Sequence, residues 1–203
     1  MTFTAWLSLF AVCCLGAMSP GPSLAVVLKQ TVGNSRQHGL AASWFHAAGV
    51  GLWAFATISG LAILVAQSEI AFKVITWLGA GYLAWIGLKA IRAGRASSFS
   101  VNPGDKTSVL KAGIEGATIS VLNPKLAIFF IALFSQFVSP DATIADQMIM
   151  TATATLVDGL WYSVVTLVLS HGPILKTLQN RSQLVNRLTG GILIALAARV
   201  VTL

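Results

Sequence analysis

Val121-Leu122-Asn123-Pro124-Lys125-Leu126-Ala127-Ile128 sets a proline and a lysine side by side in a long apolar run, with an amide just before them. Inside a helix a proline brings no N–H and crowds the carbonyl four residues back, here that of Ser120. A lysine at the centre of a membrane helix costs roughly 2.5–3.5 kcal/mol on insertion scales. Together they indicate a helix that breaks here and faces a polar cavity rather than lipid.

The surrounding composition fits a bilayer. Of 203 residues, 56% are hydrophobic and 9% charged, and the mean hydropathy is +0.80. In a soluble domain about a quarter of residues are charged. The net charge of +7 does not point to nucleic acid, because the basic residues sit between apolar runs and read as topology signals. Cys13 and Cys14 are adjacent in an apolar run, so they offer neither a disulfide framework nor metal-ligand spacing. No metal and no cofactor is expected.

A span needs about 20 apolar residues to cross roughly 30 Å of hydrocarbon. Six runs qualify, at about 3–28, 40–66, 70–91, 112–135, 145–170 and 184–203. The first lacks a basic leader, so it reads as a membrane helix rather than a signal peptide. A tight turn around Gln67-Ser68-Glu69 separates the second and third. The polar stretch from Arg92 to Lys106, with Asn102-Pro103-Gly104, divides the chain into halves. The fold expected is all-α: one transmembrane domain of six helices.

The halves echo each other. Gly21-Pro22-Ser23-Leu24-Ala25-Val26 aligns with Asn123-Pro124-Lys125-Leu126-Ala127-Ile128. Gly51-Leu52-Trp53 aligns with Gly159-Leu160-Trp161, and Leu78-Gly79-Ala80-Gly81-Tyr82-Leu83 with Leu188-Thr189-Gly190-Gly191-Ile192-Leu193. The offsets are 102, 108 and 110. A duplicated unit of three helices must enter the membrane from the opposite side the second time. The expectation is two inverted repeats, about 1–95 and 107–203, with a midplane site between broken helices. Pro20 and Pro22 break the first helix and Pro124 the fourth.

Loop charges orient the chain. Lys29 and Arg36, then Lys89, Arg92, Arg95, Lys106 and Lys111, then Lys176, Arg181 and Arg187 fall on one side. Lys73 and Arg199 fall on the other, with Asp141 and Asp146. The basic side is expected in the cytoplasm, with both termini outside.

On these residues the chain resembles the LysE/RhtB amino-acid exporters. The marks are Ser19-Pro20-Gly21-Pro22, Gly33, Arg36, Gly39-Leu40, the Leu78–Leu83 run with Gly87, Gly116, Asn123-Pro124-Lys125, Phe129-Phe130 and Gln136-Phe137. The resemblance implies export of amino acids or derivatives across a bacterial inner membrane, driven by protons. The chain departs from the family pattern at Ser23, Ser120, Phe45 and His46, all near the expected cavity.

Asp158, in the fifth run, is an acid with no counterpart at its repeat position, Val50. An intramembrane acid is a functional candidate with a partner to be named; the partner expected is Lys125. The site expected for substrate and coupling comprises Pro20, Gly21, Pro22, Ser23, Asn123, Pro124, Lys125 and Asp158. A substrate carboxylate would meet Ser23, Lys125 and the N-terminal ends of the half-helices, and its ammonium Asp158 or the carbonyls freed at the breaks. His46, Ser120 and Trp161 are candidates for the cavity wall, with His46 read either as a packed polar residue or as a proton relay. Glu115 is expected to pair with Lys111 at i−4.

Two other classes fit less well. Ser23, His46, His171 and Asp158 can be arranged as a serine triad, but no Gly-x-Ser-x-Gly frames the serine and neither histidine has a telling spacing. A metal or small-ion exporter would want clustered carboxylates or paired cysteines. The partners expected are therefore a small amino-acid substrate, protons and the lipid bilayer, with a homo-oligomer left open.

Overall fold

A computed structural model describes residues 1–19, 21–92, 106–139, 141–169 and 173–201. Expectations placed on Pro20, on the inter-half loop at 93–105 and on His171 lie outside these residues, as do the side chains of Pro124, Lys176, Arg181 and Arg199. The described chain is helical: α1 (Phe3–Met18), α2 (Pro22–Gly33), α3 (Arg36–Gln67), α4 (Glu69–Arg92), α5 (Val109–Val121), α6 (Pro124–Phe134), α7 (Ile144–Leu169) and α8 (Pro173–Val201).

Three helices, α3, α4 and α7, are each long and apolar enough to cross a membrane. The pairs α1–α2 and α5–α6 have the same character but bend by 61° and 58° at short breaks. In α8 the apolar part, Asn186–Ala198, is shorter than a span, so the sixth run is helical without meeting that length among the described residues. Large apolar side chains such as Leu52, Ile70, Leu78, Leu110 and Leu160 face outward. Such a surface is stable against lipid, where hydrocarbon replaces the protein core as apolar partner. The protein is an all-α polytopic membrane protein.

Both breaks follow from local chemistry. α2 starts with Gly21 as its cap and Pro22 as its first residue. α6 starts with Asn123 as cap and Pro124 as first residue, and Asn123 Oδ1 accepts the Lys125 N–H at 3.1 Å. A proline at the first helical position gives up only an N–H that has no intrahelical partner anyway. The chain parts before Pro124, so the proline opens a new helix rather than straining an old one against Ser120. The break frees carbonyls that lipid cannot satisfy; that of Val121 accepts the indole N–H of Trp53 at 3.1 Å.

The turn at Ser68 is a single residue between α3 and α4. Its hydroxyl accepts the Ala71 N–H at 3.2 Å. The first connection is shorter than hydropathy suggests, because α2 runs on to Gly33 and carries Lys29 within a helix.

α3 packs mainly on α5 and α7, and α4 on α8. These contacts are reciprocal. A Cβ added at Gly51 would lie 2.6 Å from Thr155 Oγ1, and one at Gly159 would lie 3.2 Å from Ala47 Cβ. The two contacts interchange at the offset of 108. A Cβ at Gly87 would lie 2.7 Å from the Gly190 carbonyl, and one at Gly190 would lie 2.5 Å from that of Gly87; Ile194 and Ile91 are the next neighbours. This pair sets an offset of 103, where the sequence alignment gives 110. Seven residues are close to two helical turns, so small residues on one face match nearly as well in either register.

Candidate functional site

The two breaks border one cavity, of about 790 Å³ when the space open at its mouth is counted. Gly21, Pro22 and Ser23 line it from the first break, Asn123 and Lys125 from the second. α3 adds His46 and Val50, and α7 adds Ala154, Asp158 and Tyr162. The remaining wall is mostly apolar, with Cys13, Ile86, Leu126, Phe129, Phe130 and Leu193 among its residues, and Ser19 and Thr189 add hydroxyls.

On one side of this cavity three buried groups form a chain. His46 Nδ1 lies 2.7 Å from Asp158 Oδ2, and His46 Nε2 lies 2.8 Å from Ser23 Oγ. Their exposures are 1% for His46, 6% for Asp158 and 7% for Ser23. Tyr162 holds the ring edge-on, at 5.2 Å between centroids and 79° between planes. The approach is possible because Gly159 follows Asp158: a side chain there would meet the Trp44 ring at 2.9 Å and Ala47 Cβ at 3.2 Å. Trp44 and Ala47 flank His46, so a larger residue at 159 would push α7 off α3 just where the pair forms.

The arrangement corrects the expected partner of Asp158. Its carboxylate is met by His46, and Lys125 makes no ion pair among the described residues. Lys125, itself exposed, lines the same cavity. With Asp158 ionised, Nδ1–H donates to it and Nε2 accepts the Ser23 hydroxyl proton. A proton added to Nε2 makes the ring a cation and turns that atom into a donor, so Ser23 must then accept.

Ser120 and Trp161 do not line the cavity. Ser120 is fully buried between α5 and α3, its hydroxyl donating to the Ala117 carbonyl at 2.8 Å and its Cβ close to Gly49. Trp161 packs on a separate apolar cluster containing Leu24, Val27, Leu28, Ala42 and Val165. The helical rotation of 100° per residue gives the cavity position to Tyr162 instead. One turn beyond Asp158, at i+4, Tyr162 was legible as lying on the same face.

Glu115 is paired differently too. Lys29 Nζ lies 2.7 Å from Glu115 Oε1, and the Gln30 side-chain amide donates to Oε2. Gln30 Oε1 accepts from Asn34 Nδ2 at 2.9 Å, and Asn34 Oδ1 accepts the Thr107 N–H at 3.2 Å. This cluster ties the far end of α2 to α5, about 10 Å along the helix from Ser23. Its long-range partners share no sequence spacing, so no local signal could have found them.

Among the described residues no three His, Cys, Asp or Glu side chains group to hold a metal ion. The profile of the LysE type translocator family matches residues 14–203. The chain is 28% identical over 194 residues to the leucine efflux protein of Klebsiella pneumoniae, covering 91% of this chain and 88% of that protein. It is 29% identical to the leucine efflux protein of Salmonella typhimurium over 194 residues, with 91% and 88% covered. It is 26% identical over 188 residues to the uncharacterized membrane protein YrhP of Bacillus subtilis, with 86% and 88% covered. No solved structure matches the chain. A serine, a histidine and an aspartate in series also serve hydrolases. Here all three lie inside the matched segment and line a cavity bordered by two broken membrane helices: the chain belongs to the LysE type translocator family, whose members are transporters and not enzymes.

Proposed function

We propose that the protein exports apolar amino acids, of the size of leucine, in exchange for protons. The observation that carries this reading is the Ser23–His46–Asp158 chain, which lines the same cavity as Lys125. An amino acid brings one charge of each sign. Lys125 suits its carboxylate and Asp158 its ammonium, while Phe129, Phe130, Ile86 and Leu193 suit an apolar side chain. The names of the leucine efflux relatives support the same substrate class.

Exchange follows from competition for one carboxylate. With His46 neutral, Asp158 keeps its full charge and attracts the ammonium. With His46 protonated, the imidazolium cancels that charge and repels the ammonium. Binding of proton and substrate is then mutually weakening, and by linkage each expels the other.

Alternating access is supported by α2. It carries Ser23 in its first turn and Lys29 and Gln30 near its far end, and it follows the break between α1 and α2. Letting go of Glu115 would free this short helix to swing and draw Ser23 from His46. The reciprocal glycine contacts support two inverted repeats that rock against each other. Clustering of Lys29, Arg36, Lys111 and Arg187 on one side supports a cytoplasmic Glu115 end in a bacterial inner membrane, with both termini outside.

Proteoliposomes loaded with labelled amino acids test the reading. Leucine should leave faster than from protein-free vesicles, and faster still when the bath is acidified. Equal rates with and without protein, or preference for lysine or glutamate over leucine, would sink it.

A further inference from the structure

We infer that the Thr189 hydroxyl is a contact for the polar head of the transported amino acid. This deepens the exporter reading and rests on the cavity being the substrate site. Thr189 lies on α8, 2% exposed, and lines the cavity. Among the described residues its buried Oγ1 has no hydrogen-bond partner. The other described side-chain atoms in that condition, Thr107 Oγ1 and Gln136 Oε1, belong to residues outside the cavity wall.

A helical threonine has an easy alternative, which is to donate to the carbonyl four residues back. Thr31, Thr76, Thr151, Thr153 and Thr155 all do so, at 2.7–2.9 Å. Thr189 does not. A hydroxyl kept out of water with no partner is destabilising, so its retention on the wall of a ligand cavity needs a use.

Its position is also fixed. The next residue is Gly190, whose backbone lies against Gly87 on α4. Ile86, on the other side of that crossing, lines the cavity as well. The crossing therefore presents one hydroxyl and one apolar side chain to the cavity. Lys125 and Asp158 supply charge for the two ends of an amino acid. Thr189 adds a directional bond, which a hydroxyl can make as donor or acceptor.

The test uses L-leucine with the full chain. Two quantities are read for wild type and each variant: the half-saturating leucine concentration for counterflow in proteoliposomes, and the rise in melting temperature that leucine causes in detergent. Thr189→Val should raise half-saturation by about 3–10-fold, the loss of one hydrogen bond, and shrink the protection by leucine. Its melting temperature without leucine should stay equal or rise, because an unpaired hydroxyl has gone. Thr189→Ser should stay within about 2-fold of wild type, since it keeps the hydroxyl. Should valine fail to fold beside the crossing, Thr189→Ala reads the same hydroxyl. Unchanged half-saturation in Thr189→Val overturns the inference, and so does an equal loss in Thr189→Ser, which would mark a packing role. Wild type that neither transports nor is protected by leucine overturns the exporter reading itself, a distinct outcome.

Discussion

Replacing His46 by glutamine separates proton coupling from substrate binding. The glutamine amide can still donate to Asp158 and accept from Ser23, but it cannot take up a proton. The change gives up the edge-on contact with Tyr162 at 5.2 Å, about 0.5–1.5 kcal/mol. It also weakens the 2.7 Å bond to a carboxylate 6% exposed, by about 1 kcal/mol. A total near 2 kcal/mol leaves the protein folded. His46→Ala, by contrast, strands the carboxylate and should cost about 3–5 kcal/mol. One pH unit is worth 1.36 kcal/mol per proton, about a tenfold ratio. With the membrane potential clamped, one-for-one exchange can thus build at most about a tenfold leucine gradient per pH unit. Wild-type vesicles should approach that limit, and His46→Gln vesicles should build no gradient while keeping leucine counterflow at equal pH. The apparent affinity of wild type for leucine should fall on acidification and stay flat in the variant. A His46→Gln protein that still concentrates leucine against its gradient would falsify the coupling scheme.

Glu115→Gln should loosen the α2–α5 latch. With Cys14→Ser as background, the native Cys13 in the cavity wall becomes a reporter, and an impermeant maleimide from the Lys29 side should label it several-fold faster. Equal labelling in parent and variant would remove the latch. Phe129→Ala should extend export toward phenylalanine. Gly16→Ala should narrow it toward valine, because the new Cβ would press on the Phe129 ring at 3.1 Å; a panel of labelled amino acids would expose shifts in the same direction, which would dismiss the apolar-wall argument. Gly159→Val should force α7 from α3 and destabilise the protein by about 1–3 kcal/mol, with loss of pH-dependent leucine affinity. A variant that melts and titrates like wild type would mean that Gly159 does not set the approach of His46 to Asp158.

The fold class and the breaks were legible in the sequence because their causes are local. Apolar runs of span length demand lipid, and the prolines of Gly21-Pro22 and Asn123-Pro124 interrupt a helix and fit the first position of a new one. For the same reason the residues that border the cavity at each break, Ser23 and Lys125, could be named in advance. The partner of Asp158 could not. Hydropathy offered Lys125 as the obvious opposite charge, but partner choice depends on how far apart two helices lie and how each is rotated. That is decided by close approach at Gly159 and Gly51, which brings His46 to the carboxylate and leaves Lys125 without an ion pair among the described residues. Ser120 and Trp161 lost their expected places through the same rotation, and Tyr162 and Thr189 gained theirs. The offset of 103 across Gly87 and Gly190 was hidden because a shift of two helical turns preserves the face. Composition and proline chemistry wrote the spans and their interruptions; interhelical packing alone chose which polar groups meet.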